Sequence, residues 1–289
     1  MKKSFSQVAV IGGGPAGISC AVQLKRFGID CSLFEKEKTG GMLWNAGTID
    51  NYPGFPQGIS GEEICSRLQQ HADRFEVSII RKEVREVRYL QNEFSLHGEG
   101  FEHLCKRLLI ASGTKPISLP PVKISPEAKA FIFRDVHPLK KITGKTIGIV
   151  GAGDAAFDYA LSLAKDNIVF IFNRSKKIKA IESLAEQVKK HQDIRYYENT
   201  ALKEVSIADQ KLLIKPSEGN FSIDFLIFAI GREAAVDFLS DNMLARKDKL
   251  IETGKLFLAG DVVNGTKRQL AIAAGDGLRA AMTIKELEG

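Results

Sequence analysis

The chain has 289 residues and a formal net charge of +6, with 44% hydrophobic and 26% charged residues. That length exceeds one ordinary core and suits two domains of roughly 100–150 residues each. The composition is globular, which argues against collagen-like and disordered classes, and no apolar run approaches the roughly 18 residues of a membrane helix.

In chain order, the opening MKKSFSQVAVIGGG carries lysines and a short apolar run. It breaks into glycines at once and has no small-residue cleavage site, so a cytoplasmic chain is expected. Val8–Ile11 reads as a strand, Ile18, Val22, Leu24 and Phe27 follow at helical spacing, and Cys31–Phe34 resumes a strand. Within this βαβ unit Gly12, Gly14 and Gly17 satisfy G-x-G-x-x-G, with Pro15 and Ala16 inside the turn. The first glycine makes the tight turn, the second admits a pyrophosphate, and the third lets helix pack on strand. The helix N-terminus presents unpaired N–H groups to the anion. Glu35 lies 18 residues beyond Gly17, where a carboxylate accepts from ribose hydroxyls.

The stretch EICSRLQQHADRF reads as a helix, VSIIRKEVREVRYL as strands, and CKRLLIASGTKP as a strand, preceded by Cys105, that runs into a turn at Gly113. A second βαβ unit follows: Thr146–Val150, then Gly151, Gly153 and Ala156 with Asp154 and Ala155 between them, a helix through Ala164, and Ile168–Phe172. Two fingerprints in one chain imply two different dinucleotides. The acid's place in the second falls on Arg174, with Lys176 and Lys177 close behind. A guanidinium there welcomes a 2′-phosphate that Glu35 would repel, so the first site suits an unphosphorylated adenosine and the second NADPH. The same trio also fits a solvated basic loop. DFLIFAIGRE repeats the strand-to-glycine form at Gly231, GKLFLAGDV repeats it again, and a helix from Gln269 to Leu287 ends the pattern.

These motifs together resemble the low-molecular-weight thioredoxin reductases and the related ferredoxin–NADP reductases. The resemblance implies an α/β fold of two Rossmann-like, three-layer ββα dinucleotide-binding domains, the NAD(P)H domain inserted into the FAD domain. The expected boundaries are 1–117 and 233–289 for FAD and 118–232 for NAD(P)H. GGMLWNAGTIDNYPGFP resembles the family's Gly-Gly-x-Leu…Asn-x-Pro-Gly segment, which implies Gly41 and Asn51 beside the flavin. LAGDV resembles its Ala-Gly-Asp motif and implies Asp261 on the ribityl chain; KRQLAIAAGDG implies Arg268 and Gln269 at the pyrimidine edge. Val84 and Gly113 join the FAD set, and Gly231 the NAD(P)H set. NRSKKIK keeps Arg174, but Ser175 replaces the family's next arginine, so NADH remains open beside NADPH. A homodimer and a domain rotation about hinges near Ile117 and Gly231–Glu233 are implied on the same ground.

Counting back from Gly151, the family's Cys-x-x-Cys-Asp falls on Arg134, Asp135, Val136, His137 and Pro138. Both thiols are absent there, and a flavin reduces a disulfide only through a thiolate nucleophile. The four cysteines, Cys20, Cys31, Cys65 and Cys105, have no close pair. That spacing argues against a disulfide framework or a metal site and for buried structural thiols. Asp135 and His137 are candidates for proton supply to reduced flavin, although a linker histidine accounts for His137 as well. GAGDAAFDYAL is closer to the ferredoxin–NADP reductase wording, whereas that branch carries a C-terminal extension that covers the flavin and this sequence ends at Gly289. The flavin face is therefore expected to be open to a partner. The expected activity is an FAD-dependent NAD(P)H oxidoreductase with a small acidic ferredoxin or flavodoxin as acceptor, which a basic surface would steer. Two alternatives stand beside it: a disulfide reductase using a non-standard cysteine or external dithiol, and a non-enzymatic flavoprotein redox sensor. Basic residues are spread without interleaved aromatics, so no nucleic-acid partner is expected.

Overall fold

The computed structural model describes residues 2–216 and 219–288. The chain divides into two units: Met1–Trp44, Thr48–Lys115 and Glu233–Gly289 form the first, and Asn45–Gly47 with Pro116–Arg232 the second.

The first unit is built on the strand Lys2–Ile11, which pairs in parallel with Cys31–Phe34 on one side and Phe101–Ile110 on the other. Ser78–Ile80 extends the parallel sheet beyond Cys31–Phe34. Every residue of Cys31–Phe34 is buried, the continuous apolar run of a strand covered on both faces. Phe101–Ile110 serves two partners in succession. Its first half pairs antiparallel with Glu93–Gly98, which turns back through Glu86–Leu90; its second half pairs in parallel with Leu256–Leu258. The first strand begins at Lys2, not Val8, because it stays in register with Phe101–Ile110 over its whole length. The polar Ser4 and Ser6 belong to it because both hydroxyls meet the buried His103 imidazole, at 2.8 Å each. Cys105, expected ahead of a strand, lies inside one for the same reason.

Helix α1 (Pro15–Arg26) follows the first glycine turn and buries Ile18, Cys20, Ala21, Val22 and Leu24. Helix α2 (Gly61–Arg74) starts at Ser60, whose hydroxyl accepts from the Glu63 N–H at 3.1 Å, the start signal of a Ser-x-x-Glu sequence. One apolar cluster gathers Val10, Leu24, Leu33, Leu109 and Ile284, and a second gathers Phe34, Phe94, Leu108, Met243 and Leu256.

The second unit has a five-stranded parallel sheet in the order Ile132–Phe133, Phe225–Phe228, Thr146–Val150, Ile168–Phe172, Ile194–Tyr197. Helix α3 (Asp154–Leu163) follows the second glycine turn, and helix α4 (Glu182–Lys190) connects the last two strands. A four-stranded sheet, Lys123–Ile124, Leu202–Ala208, Lys211–Pro216 and Phe221–Ile223, packs on this core. Aromatic rings fasten the two sheets: Phe172 stacks on Tyr197 at 5.5 Å, and Tyr197 meets the Phe221 edge at 4.9 Å. The unit's apolar clusters, around Ile147, Phe157 and Ile171 and around Phe172, Val205 and Phe228, contain no residue of the first unit. In the first unit, helix α5 (Asp241–Glu252) and helix α6 (Leu270–Glu286) complete the described chain.

Candidate functional site

Each glycine turn stands where a parallel strand hands over to a helix. Gly12 has φ +107°, and a Cβ there would enter the Ala111 carbonyl. Gly17, with an ordinary φ, is required for packing: its Cβ would overlap the Gly12 carbonyl oxygen, so α1 lies directly on the strand's end. Gly14 caps α1 with Pro15 at the first helical position, and an added Cβ would meet nothing within 4 Å. That open cradle at a helix N-terminus is the room a pyrophosphate needs. Ala16 is buried beside it. Glu35 turns inward: Oε2 accepts from the Gly13 N–H at 2.7 Å and Oε1 from the Glu37 N–H at 2.8 Å. The acid thus braces the turn through both carboxylate oxygens.

Two further segments close on this turn. The Gly40 N–H donates to the Gly13 carbonyl at 2.8 Å, and Gly41, at φ +56°, lies against Gly14. The Trp44 indole donates to the Thr39 carbonyl at 2.8 Å. Asn51 and Gln269, 218 residues apart in sequence, meet directly: Asn51 Nδ2 donates to Gln269 Oε1 at 2.8 Å. Gln269 is the N-cap residue of α6, and Arg268 precedes it. Asp261 lies in the short 3-10 turn Gly260–Val262 after the last strand. Asp276, not singled out by its sequence, holds that turn: its Oδ2 accepts from the Gly260 N–H at 3.2 Å and from Asn264 Nδ2 at 2.6 Å. A carboxylate amid the small residues of α6 is the signal that could have found it. Val84 is buried in the second apolar cluster, while Gly113 has φ +65° with open space around it and accepts from the Ala235 N–H at 3.1 Å.

In the second unit Gly151, at φ +137°, could not carry a Cβ without entering the Ala229 carbonyl, and Gly153 caps α3 with open space within 4 Å. Ala156 is fully buried and Ala155 exposed. Asp154 has a structural partner: its Oδ1 accepts from the Ile181 N–H at 2.8 Å. The Lys179 and Ala180 N–H groups both donate to the Ala152 carbonyl, at 2.8 and 3.1 Å. Arg174, Lys176 and Lys177 are exposed, and among the described residues their side chains form no ion pair. Gly231 has φ +127°.

The segment aligned with a dithiol is tied down within the same unit. Asp135 Oδ1 accepts from Arg232 Nη1 at 2.8 Å, and the Arg134 guanidinium donates to the Ile117 carbonyl. Ile117 in turn donates its N–H to the Gly231 carbonyl at 3.2 Å. His137 opens a 3-10 turn, and its N–H donates to Asn45 Oδ1 at 3.0 Å. Asp135 is therefore engaged with a guanidinium, a partnership its sequence neighbours did not announce. All four thiols are buried. Burial pushes Cys31 up to about 11 and raises Cys20 and Cys105 further, the opposite of what a thiolate nucleophile needs.

A family model for pyridine nucleotide-disulphide oxidoreductases matches residues 6–277. Among curated relatives, the chain is 28% identical over 316 aligned positions to glucosaminate ammonia-lyase of Pseudomonas fluorescens, covering 98% of this chain and 96% of that one. It is 24% identical to thioredoxin reductase of Chlamydia pneumoniae, with 98% and 99% covered. Among solved structures, T. acidophilum thioredoxin reductase superposes with a TM-score of 0.85 at 25% identity, with 98% and 99% covered. The Lactococcus lactis thioredoxin reductase does so with 0.84 at 23%, with 98% and 100% covered.

Proposed function

Because the chain belongs to the pyridine nucleotide-disulphide oxidoreductase family, and is a flavin-dependent oxidoreductase of thioredoxin reductase type using FAD and NAD(P)H, we propose that its acceptor is a small electron-carrier protein of ferredoxin or flavodoxin kind. FAD supplies the capacity to accept a hydride from the nicotinamide and to release its electrons singly or as a pair. The residues of the chain bind and orient. In this reading Gly12, Gly14 and Gly17 receive the FAD pyrophosphate on the α1 N-terminus. Glu35 accepts from the adenosine ribose. Gly41, Asn51, Asp261, Arg268 and Gln269 line the flavin and its ribityl chain, with Val84 and Gly113 completing the FAD set. The NAD(P)H pyrophosphate rests on Gly151, Gly153 and the first turn of α3, Gly231 closes the strand end, and Arg174 with Lys176 and Lys177 attracts the 2′-phosphate. In this reading FAD is held by residues 1–117 and 233–289, and NAD(P)H by the inserted residues 118–232.

One observation carries the choice of acceptor. The chain holds no Cys-x-x-Cys, its four thiols are buried, and burial moves Cys20, Cys31 and Cys105 away from the thiolate, so a disulfide substrate lacks its nucleophile. The net charge of +6 favours encounter with an acidic carrier, an effect that weakens with added salt. The test is anaerobic NADPH-driven reduction of ferredoxin and flavodoxin by the purified holoprotein, with thioredoxin and low-molecular-weight disulfides in parallel. Rapid, salt-sensitive reduction of a carrier is expected. Turnover confined to disulfides, or none with any one-electron acceptor, overturns the reading.

A further inference from the structure

The loop between Ile168–Phe172 and α4 carries Arg174, Lys176, Lys177 and Lys179 and no acid before Glu182. Residues 174–179 are all exposed. Four like charges so close together repel, and the loop would spread unless something fastened it. Asn173, only 5% exposed, does so. Its Nδ2 donates to the Lys177 carbonyl at 3.1 Å and to the Tyr196 hydroxyl at 2.8 Å, and its Oδ1 accepts from the Ser175 N–H at 3.3 Å. Both amide hydrogens are spent, so this side chain has no donor left for a ligand. Its backbone is held as firmly, donating to the Tyr197 carbonyl at 2.9 Å and accepting from the Thr200 N–H at 2.7 Å. The loop's far end returns to the second glycine turn through Lys179, Ala180 and Ile181, which donate to Ala152 and Asp154. The cations thus sit on a bracket anchored at one end by a buried amide and at the other by the turn that faces a pyrophosphate.

We infer that Asn173 is a positioning residue for dinucleotide selection: by bonding Ser175, Lys177 and Tyr196 it holds Arg174, Lys176 and Lys177 at a fixed reach from the second glycine turn, the reach of a 2′-phosphate on a nucleotide bound there. This rests on the reading that those cations take the 2′-phosphate. Pre-ordering matters because each long basic side chain loses rotamer freedom on binding, and a loop that must also be ordered adds to that cost.

The test is calorimetric binding of 2′,5′-ADP and 5′-ADP to the FAD-loaded protein, with no turnover involved. Asn173→Ala should weaken 2′,5′-ADP about tenfold while leaving 5′-ADP nearly unchanged. Tyr196→Phe removes one of the three bonds, keeps the ring and the loop's charge, and should give a loss of about threefold on the same ligand only. A merely structural role would lower the melting temperature and weaken both ligands alike, which would overturn the inference. Arg174→Ala separates the two levels. If it abolishes the preference for 2′,5′-ADP while Asn173→Ala and Tyr196→Phe leave it intact, the positioning role fails alone. If Arg174→Ala together with Lys176→Ala and Lys177→Ala also leaves the preference intact, the charge reading falls and the inference with it.

Discussion

At the scale of single residues, burial keeps Cys20, Cys31, Cys105 and His103 neutral, moving the thiols' pKa up and the imidazole's down. All four thiols are buried, and for Cys20, Cys31 and Cys105 burial disfavours the charged form, so native protein at pH 8 should show almost no reaction with a thiol-specific chromogenic reagent, while four thiols should appear in guanidinium. Fast labelling of even one cysteine in the native protein would reopen the disulfide chemistry set aside above. His103 is 1% exposed, and burial lowers its pKa to about 4, against 6.5 for a free imidazole. Below pH 6.5 the unfolded chain therefore binds a proton that the folded chain refuses. The contribution of His103 is full above pH 6.5, falls as the pH drops toward about 4, and levels off below that, a total on the order of 3 kcal/mol. Urea titrations at pH 7 and pH 4.5 should show a loss of stability that His103→Gln, a neutral side chain, largely suppresses.

At the scale of elements, the packing of α6 on α1 depends on a residue that looked incidental in sequence. A Cβ on Gly277 would overlap the Ala16 carbonyl oxygen, so the two helices approach at backbone contact. Gly277→Ala should force α6 outward and cost about 2 kcal/mol, despite the better helix propensity of alanine. Because Ala16 lies within the first glycine fingerprint, proposed above to receive the FAD pyrophosphate, the same variant should retain less FAD, read as flavin absorbance per mole of protein. Ser60→Ala, which removes the α2 cap, should cost about 1 kcal/mol in urea unfolding and leave flavin content unchanged. A strong effect of Ser60→Ala on flavin content would show that α2 carries more of the site than its contacts indicate.

At the scale of the whole molecule, the two units have separate apolar clusters, the condition for independent folding. Residues 116–232 expressed alone should therefore unfold cooperatively and bind 2′,5′-ADP. The complementary chain, with residues 116–232 replaced by a short Gly-Ser linker, should retain FAD. The linker is feasible because Lys115 pairs with Glu233 at 3.4 Å, which holds the two cut ends together. A molten, non-cooperative fragment would indicate that the unit's core depends on the rest of the chain.

Both βαβ units, their glycine turns, Glu35 and the cationic loop were legible in the sequence, because each rests on short-range rules: hydrophobic period, φ restrictions and fixed spacing from turn to acid. The extension of the first strand back to Lys2 was not, since it depends on register with Phe101–Ile110. Nor were the contact of Asn51 with Gln269, the support of the Gly260 turn by Asp276, the Asp135–Arg232 pair, or the fastening of the basic loop by Asn173. Residue order alone was enough to reveal the two glycine fingerprints and the absence of any Cys-x-x-Cys. Tertiary structure alone decided which side chains hold those residues in place. Hydrogen bonds and close approach depend on distance in space, and residues far apart along a chain leave no periodic or spacing signal of their meeting.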